Sequence, residues 1–248
     1  MKNSQKHLIL ILLSFLLSCL SYASDETRYY DVEIVLFENL QPGIKSAEDW
    51  PSSIEYQYPE KALFISDPYP GLIPESLNPR FTFKPVIRAN YVLADEVRLL
   101  KKSEKFKILY HRAWRQPGLD EENAIAVKIK RQFPPKRATP LQSVNSLDPT
   151  GAPQAQNTPQ QPGPEELFGT IRVVLKRYLH VQTDIHFKTY KLEAQQTINS
   201  EFESIAEQQL RPVIISLSGS RKMRSKELHY IDNPVIGMLV YIKQFKTK

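Results

Sequence analysis

One cysteine, Cys19, stands in a chain of 248 residues, so a disulfide framework is excluded at the outset. Glycine is scarce, eight in all, and no HExxH, GxSxG, phosphate-binding loop or Rossmann glycine pattern occurs. The sequence marks of zinc proteases, α/β-hydrolases and nucleotide-binding enzymes are thus missing. Neither sign of charge dominates, since 33 Lys and Arg stand against 27 Asp and Glu, a net +6. With 41% hydrophobic residues the chain can bury an ordinary core, which rules out a wholly disordered polymer. The longest apolar run, LILILLSFLLSCL at residues 8–20, falls short of the roughly 20 residues that a comfortable membrane span needs.

That run has the length of a signal-peptide core. It follows Lys2 and Lys6, and Ser21-Tyr22-Ala23 sets small residues three and one positions before a cut after Ala23. The expectation is a signal peptide over residues 1–23 and an exported mature chain with no membrane span. Two alternatives stay open: Leu16-Leu17-Ser18-Cys19 as a lipoprotein box acylated at Cys19, though Leu17 is large for one, or a retained anchor. Cleavage after Ala23 removes the only thiol and leaves 31 basic residues against 27 acidic, a net +4. A mildly basic exported chain suits an acidic extracytoplasmic polymer better than nucleic acid.

Residues 134–166 hold eight of the 19 prolines and no aromatic residue, the composition of a flexible insertion that cannot bury enough surface to order itself. Apolar and polar residues alternate over residues 31–38 and 125–131, and residues 168–187 form a long β-rich stretch. Further strands fit residues 106–115, 213–218, 227–232 and 235–245. LADEVRLLKKS, residues 93–103, predicts a helix with Leu93, Val97 and Leu100 on one face, acids early and lysines late. A second helix fits residues 199–210, with Ser200 as cap. The proline-rich residues 39–85 read as an extended excursion wrapped against the sheet. This order predicts one α+β domain over residues 24–248, built on a mostly antiparallel β-sheet and interrupted by the proline-rich disordered insertion. The flanks of the insertion are candidates for neighbouring strands.

Four groups of residues invite functional readings. His180, Asp184 and His186 project from one strand face and resemble a metal set, but Lys176, Tyr178, Gln182 and Lys188 share that face, which favours a solvated surface and no metal. HRAWRQPG, residues 111–118, places Arg112 and Trp114 on one strand face, with His111 and Arg115 on the other. In LKRYLHV, residues 175–181, alternation sets Arg177 between Leu175 and Leu179, so a buried guanidinium paired with an acid such as Glu33 is expected. SRKMRSKELHYID, residues 220–232, packs Arg221, Lys222, Arg224 and Lys226 before His229 and Tyr230. Arginine forks clasp carboxylates and aromatic faces stack on sugars or peptide groups, although a solvated basic hairpin edge has the same composition.

The strings HRAWRQPG, RYLHV and RKMRSKELHYID, the last followed by NPVIGMLVYI, resemble the CsiV family of periplasmic peptidoglycan-binding proteins. The opening YYDVEIVLFE and the pair Trp50-Pro51 add to the likeness, which spans residues 29–245 apart from the insertion and much of residues 39–85. Lys222 and Lys226 depart from it, standing where an arginine and a small residue are expected. The resemblance implies a non-enzymatic protein that binds peptidoglycan and supports its synthesis, cell shape and envelope integrity. It also admits a peptidoglycan synthase or its activator as partner, and requires no cofactor. The expected peptidoglycan contacts are Arg112, Trp114, Arg115, Tyr178, His180, Arg221, Arg224, His229 and Tyr230. Two other functions compete: a protein adaptor that leaves glycan untouched, and a wall hydrolase using Asp184 with Glu193 or Asp232 as acid and base.

Overall fold

The computed structural model describes residues 27–46, 48–65, 83–135, 162–197 and 205–246. Ten strands and one α-helix lie within them. A first sheet is built from β1 (Tyr29–Asn39), β3 (Lys84–Pro85), β4 (Phe106–Pro117), β9 (Leu228–Asp232) and β10 (Ile236–Phe245), in the antiparallel order β3-β4-β1-β10-β9. A second sheet runs β2 (Ala62–Phe64), β5 (Ala126–Phe133), β6 (Glu165–Leu175), β7 (Leu179–Thr197) and β8 (Ile205–Met223) in chain order, antiparallel except where β2 lies parallel to β5. The mostly antiparallel α+β expectation holds, with two sheets where one was expected.

Alternation decides how the sheets meet. Val32, Ile34 and Leu36 of β1 point inward and share one core with Trp114, Ile129, Leu167, Ile171, Ile185, Ile215 and Val240 from both sheets. The intervening Val35 and Phe37 point outward, and α1 (Ala94–Lys102) covers them with Leu93, Val97 and Leu100. β1 is therefore buried on both faces, which is why its sequence reads as the near-continuous apolar run IVLF. Leu109 is an extra residue in β4, where the register with β1 shifts between Leu36 and Phe37. Its carbonyl accepts from Arg131 of β5 at 2.9 Å, joining the two sheets. At the opposite border Asn233 accepts from the Val235 and Ile236 amides and donates to the Ser216 carbonyl of β8 at 2.8 Å.

Several sequence expectations need correction. Residues 205–210, expected as part of a helix, continue β8 in register with β7 up to Thr197 opposite Ile205, while residues 199–204 lie outside the described residues. Pairing along a long hairpin outweighs a weak local helical spacing. The stretch 168–187 divides into β6 and β7 around a turn at residues 176–178. Arg177 sits in that turn, exposed, with its guanidinium carbon 5.7 Å from the Tyr178 ring centroid. It is not a buried charge, because strand alternation stops at Leu175. Residues 136–161 of the expected insertion lie outside the described residues, and Glu165 and Glu166 belong to β6 rather than to a loop. Phe133 and Glu165 are register partners, so the strands flanking the insertion are antiparallel neighbours as expected.

Candidate functional site

The outer face of the second sheet carries few apolar side chains. Register fixes its rows: Phe168, His186 and Ser216; then Thr170, Asp184 and Ser218; then Arg172, Gln182 and Ser220; then Val174, His180 and Lys222. The chain after β1 crosses the first of these rows as a strap. Pro51 accepts from the Ile214 amide of β8 at 2.8 Å, and Tyr56 sits edge-on to His186 and Phe168 with centroids 4.9 Å and 5.4 Å away. Tyr58 then donates to the Ile129 carbonyl of β5 at 2.8 Å, and β2 follows. Burial pushes both tyrosine phenols up, so they stay neutral as hydrogen-bonding groups.

Beside the strap the polar rows stay open. They floor a cleft of about 380 Å³ with Thr170, Arg172, Gln182 and Asp184, walled by Pro59 and Lys61 of the strap and by Glu122 and Ala124. Arg172 Nε donates to Gln182 Oε1 at 2.8 Å, which fixes the guanidinium plane. Glu121 stands at the rim, 3.7 Å from Arg172 and bonded to Lys176, whose hydrogen bond and charge hold the Glu121 carboxyl below its usual range. Asp184 Oδ1 accepts from Ser218 at 2.9 Å and lies 3.0 Å from His186 Nε2. His186 is buried, its Nδ1 is 2.9 Å from Ser216 Oγ, and burial holds its pKa down against the pull of the Asp184 charge.

Gly169 makes this packing possible. Its φ of 135° suits glycine alone, and a Cβ there would stand 2.1 Å from the Asp184 carbonyl oxygen. At the far end of the face Lys222 Nζ lies 3.6 Å from the ring centroid of Tyr178, and His180 is its cross-strand neighbour.

The nine expected contact residues do not form one surface. Trp114 is fully buried and donates to Gln116 Oε1 at 2.7 Å, so it is a core residue closed to ligand. Arg112 shares its inward face, half-buried, 6.0 Å from the Tyr110 ring centroid. Arg115 is held on the helix-bearing face of the first sheet, by Asp31 at 2.7 Å and by the Phe245 ring at 3.2 Å. Tyr230 lies on that same face, stacked on Phe37, with its phenol pushed up by burial and by Asp232. Arg221 and Arg224 are exposed near the β8–β9 turn, where His229 Nε2 accepts from the Arg224 amide at 3.2 Å. Only Tyr178 and His180 belong to the outer face of the second sheet.

Sequence reasoning placed Gln182 and Asp184 on the polar strand face but missed Lys61, Thr170, Arg172 and Glu122. The spacing of β6 residues 166, 168, 170 and 172 was the available signal for two of them. His180 and His186 are six residues apart on one strand, about 20 Å at ~3.3 Å per residue. No metal-ligating group of three or more is found among the described residues. Asp184 and Glu193 are nine residues apart on β7, about 30 Å, whereas paired glycosidase carboxylates stand about 5–10 Å apart. Asp232 is on the other sheet. No helix among the described residues is long and apolar enough to cross a membrane.

No curated protein and no solved structure matches the chain. The sequence model of one family, described as "Peptidoglycan-binding protein, CsiV", matches residues 8–245, nearly the whole length. A match of that extent places the chain in the CsiV family of peptidoglycan-binding proteins.

Proposed function

We propose that the protein is exported to the periplasm and binds peptidoglycan without cleaving it, using the outer face of the second sheet. The observation that carries this reading is the strap-walled cleft, where Lys61, Arg172, Gln182 and Asp184 converge on a strand face that also carries Thr170, His180, Ser216, Ser218 and Ser220. Such a face offers many hydrogen bonds to a polar polymer and little to an apolar partner. Tyr178 with Lys222 and His180 extends it along the sheet, and exposed Arg221 and Arg224 add attraction toward wall carboxylates at the neighbouring edge. In this reading the protein supports peptidoglycan synthesis, cell shape and envelope integrity by holding a synthase or its activator near the wall. Sedimentation with purified sacculi at low salt tests it: the protein pellets with the sacculi and is released as salt rises. Protein left in the supernatant at low salt overturns the reading and leaves the adaptor that does not touch glycan.

A further inference from the structure

Resting on the peptidoglycan reading of this face, we infer that the cleft beside the strap recognises the peptide stem of peptidoglycan, at a part carrying both a carboxylate and an ammonium group, rather than the glycan strand. Two features of the cleft separate these ligands. Among the described residues no aromatic side chain lines it, so the apolar face of a sugar ring finds no platform there. Its charged groups are of both signs, Lys61 and Arg172 with Glu122 and Asp184. A glycan strand whose lactyl groups are all in amide linkage is uncharged and gives these side chains nothing to pair with. A stem peptide ending in a diamino acid has free carboxylates and a free ammonium.

The placement of the charges suits one ligand bearing both. Thr170 is the register partner of Asp184 and Arg172 that of Gln182, so Arg172 and Asp184 are diagonal neighbours, about 7–8 Å apart. Each is already oriented from the side: Arg172 by Gln182 at 2.8 Å, Asp184 by Ser218 at 2.9 Å. An α-amino-acid centre spans such a gap, its carboxylate on the planar guanidinium and its ammonium on the carboxylate. Lys61 and Thr170 line the same cleft and can hold the adjoining peptide groups.

The test uses the purified protein with three probes: intact sacculi, bead-immobilised glycan strands released from sacculi by an amidase with their freed lactyl carboxylates re-amidated, and the free tripeptide L-Ala-γ-D-Glu-meso-diaminopimelate. Retention on intact sacculi should exceed retention on the immobilised, stem-free glycan strands about tenfold or more, the scale of one or two lost charge-assisted hydrogen bonds. The free tripeptide should displace the protein from intact sacculi, while chitin oligosaccharides do not. Arg172→Gln and Asp184→Asn should each weaken tripeptide binding about tenfold with an unchanged melting temperature. If one variant fails to fold, wild-type displacement by the tripeptide still decides. Equal retention on intact sacculi and on the immobilised stem-free glycan strands overturns the inference and leaves the peptidoglycan reading standing. No retention on intact sacculi overturns both.

Discussion

Glu33 of β1 lies 2.7 Å from His111 Nε2 of β4, and its carboxylate also accepts the backbone amides of Val92 at 2.6 Å and Leu93 at 3.1 Å. Leu93 is the N-cap of α1 and has no side-chain acceptor of its own, so a strand residue remote in sequence performs the capping. The acid expected to neutralise Arg177 instead fastens α1 to the first sheet, and Arg177 needs no such partner in its exposed turn.

Replacing Glu33 by Ala leaves the Val92 and Leu93 amides at the entry to α1 and His111 without their acceptor, and should destabilise the fold by about 2–4 kcal/mol. Glu33→Gln keeps one acceptor oxygen and should lose less. Urea denaturation gives both values, and amide exchange at Leu93 should accelerate in the alanine variant. Equal stability of Glu33→Ala and wild type would show that the cap is dispensable.

Gly169→Ala should cost about 3 kcal/mol or more, because φ there is 135° and the new Cβ would press on the Asp184 carbonyl. The β6–β7 ladder has to shift to relieve the contact, so Asp184 moves and binding by the cleft should drop together with the melting temperature. An alanine variant that melts and binds like wild type would contradict the stated backbone geometry.

His186 introduces a pH dependence. Burial lowers its pKa in the folded state, so the unfolded chain takes up the proton first, near pH ~6.5. Stability therefore falls as pH drops below that value and levels off once the folded imidazole is protonated. The Asp184 charge opposes the shift, while Tyr56, Phe168 and Ser216 surround the ring from the strap, β6 and β8. The stability difference between wild type and His186→Gln should shrink across this window, read from urea midpoints at successive pH values. A difference independent of pH would remove His186 as the titrating group.

Replacing Arg221 and Arg224 together by Gln should leave the fold intact, since both are exposed and the one ion pair seen for Arg224, to Glu227, is 3.7 Å long. Sacculus binding should weaken at low salt and converge with wild type at high salt, the pattern of long-range attraction rather than contact. An unfolded double variant would make these arginines structural.

Removing residues 136–161 should leave the melting temperature within a few degrees of wild type. Phe133 and Glu165 are already register partners, so a brief polar loop closes the gap, and loop length costs only about 0.6 kcal/mol per doubling. A larger fall, seen by calorimetry, would show that the segment packs on the domain.

Residues that obey one period under one neighbour were legible in the chain. Alternation identified β1 and β5, strand-like stretches at residues 106–115 and 235–245 matched β4 and β10, and the grouping of Leu93, Val97 and Leu100 identified α1 within a residue at each end. Of the strings shared with the CsiV family, HRAWRQPG is chiefly architectural, since Trp114 fills the core and Arg115 is tied to Asp31, and Asn233, at the head of NPVIGMLVYI, joins β9 and β10 to β8. Periodicity could not distinguish a strand from a turn at Arg177, because three residues of turn leave the local pattern of apolar and polar residues almost unchanged. Nor could it find the cleft. Lys61, Glu122, Arg172 and Asp184 are spread over more than 120 positions and meet only because the strap crosses the second sheet while β5, β6 and β7 pair in a fixed register. Local sequence determines which face a side chain takes, since that depends on dihedral angles two residues apart. Which distant side chains share that face depends on long-range strand pairing, a choice settled by burial of the whole core and decided only in the tertiary structure.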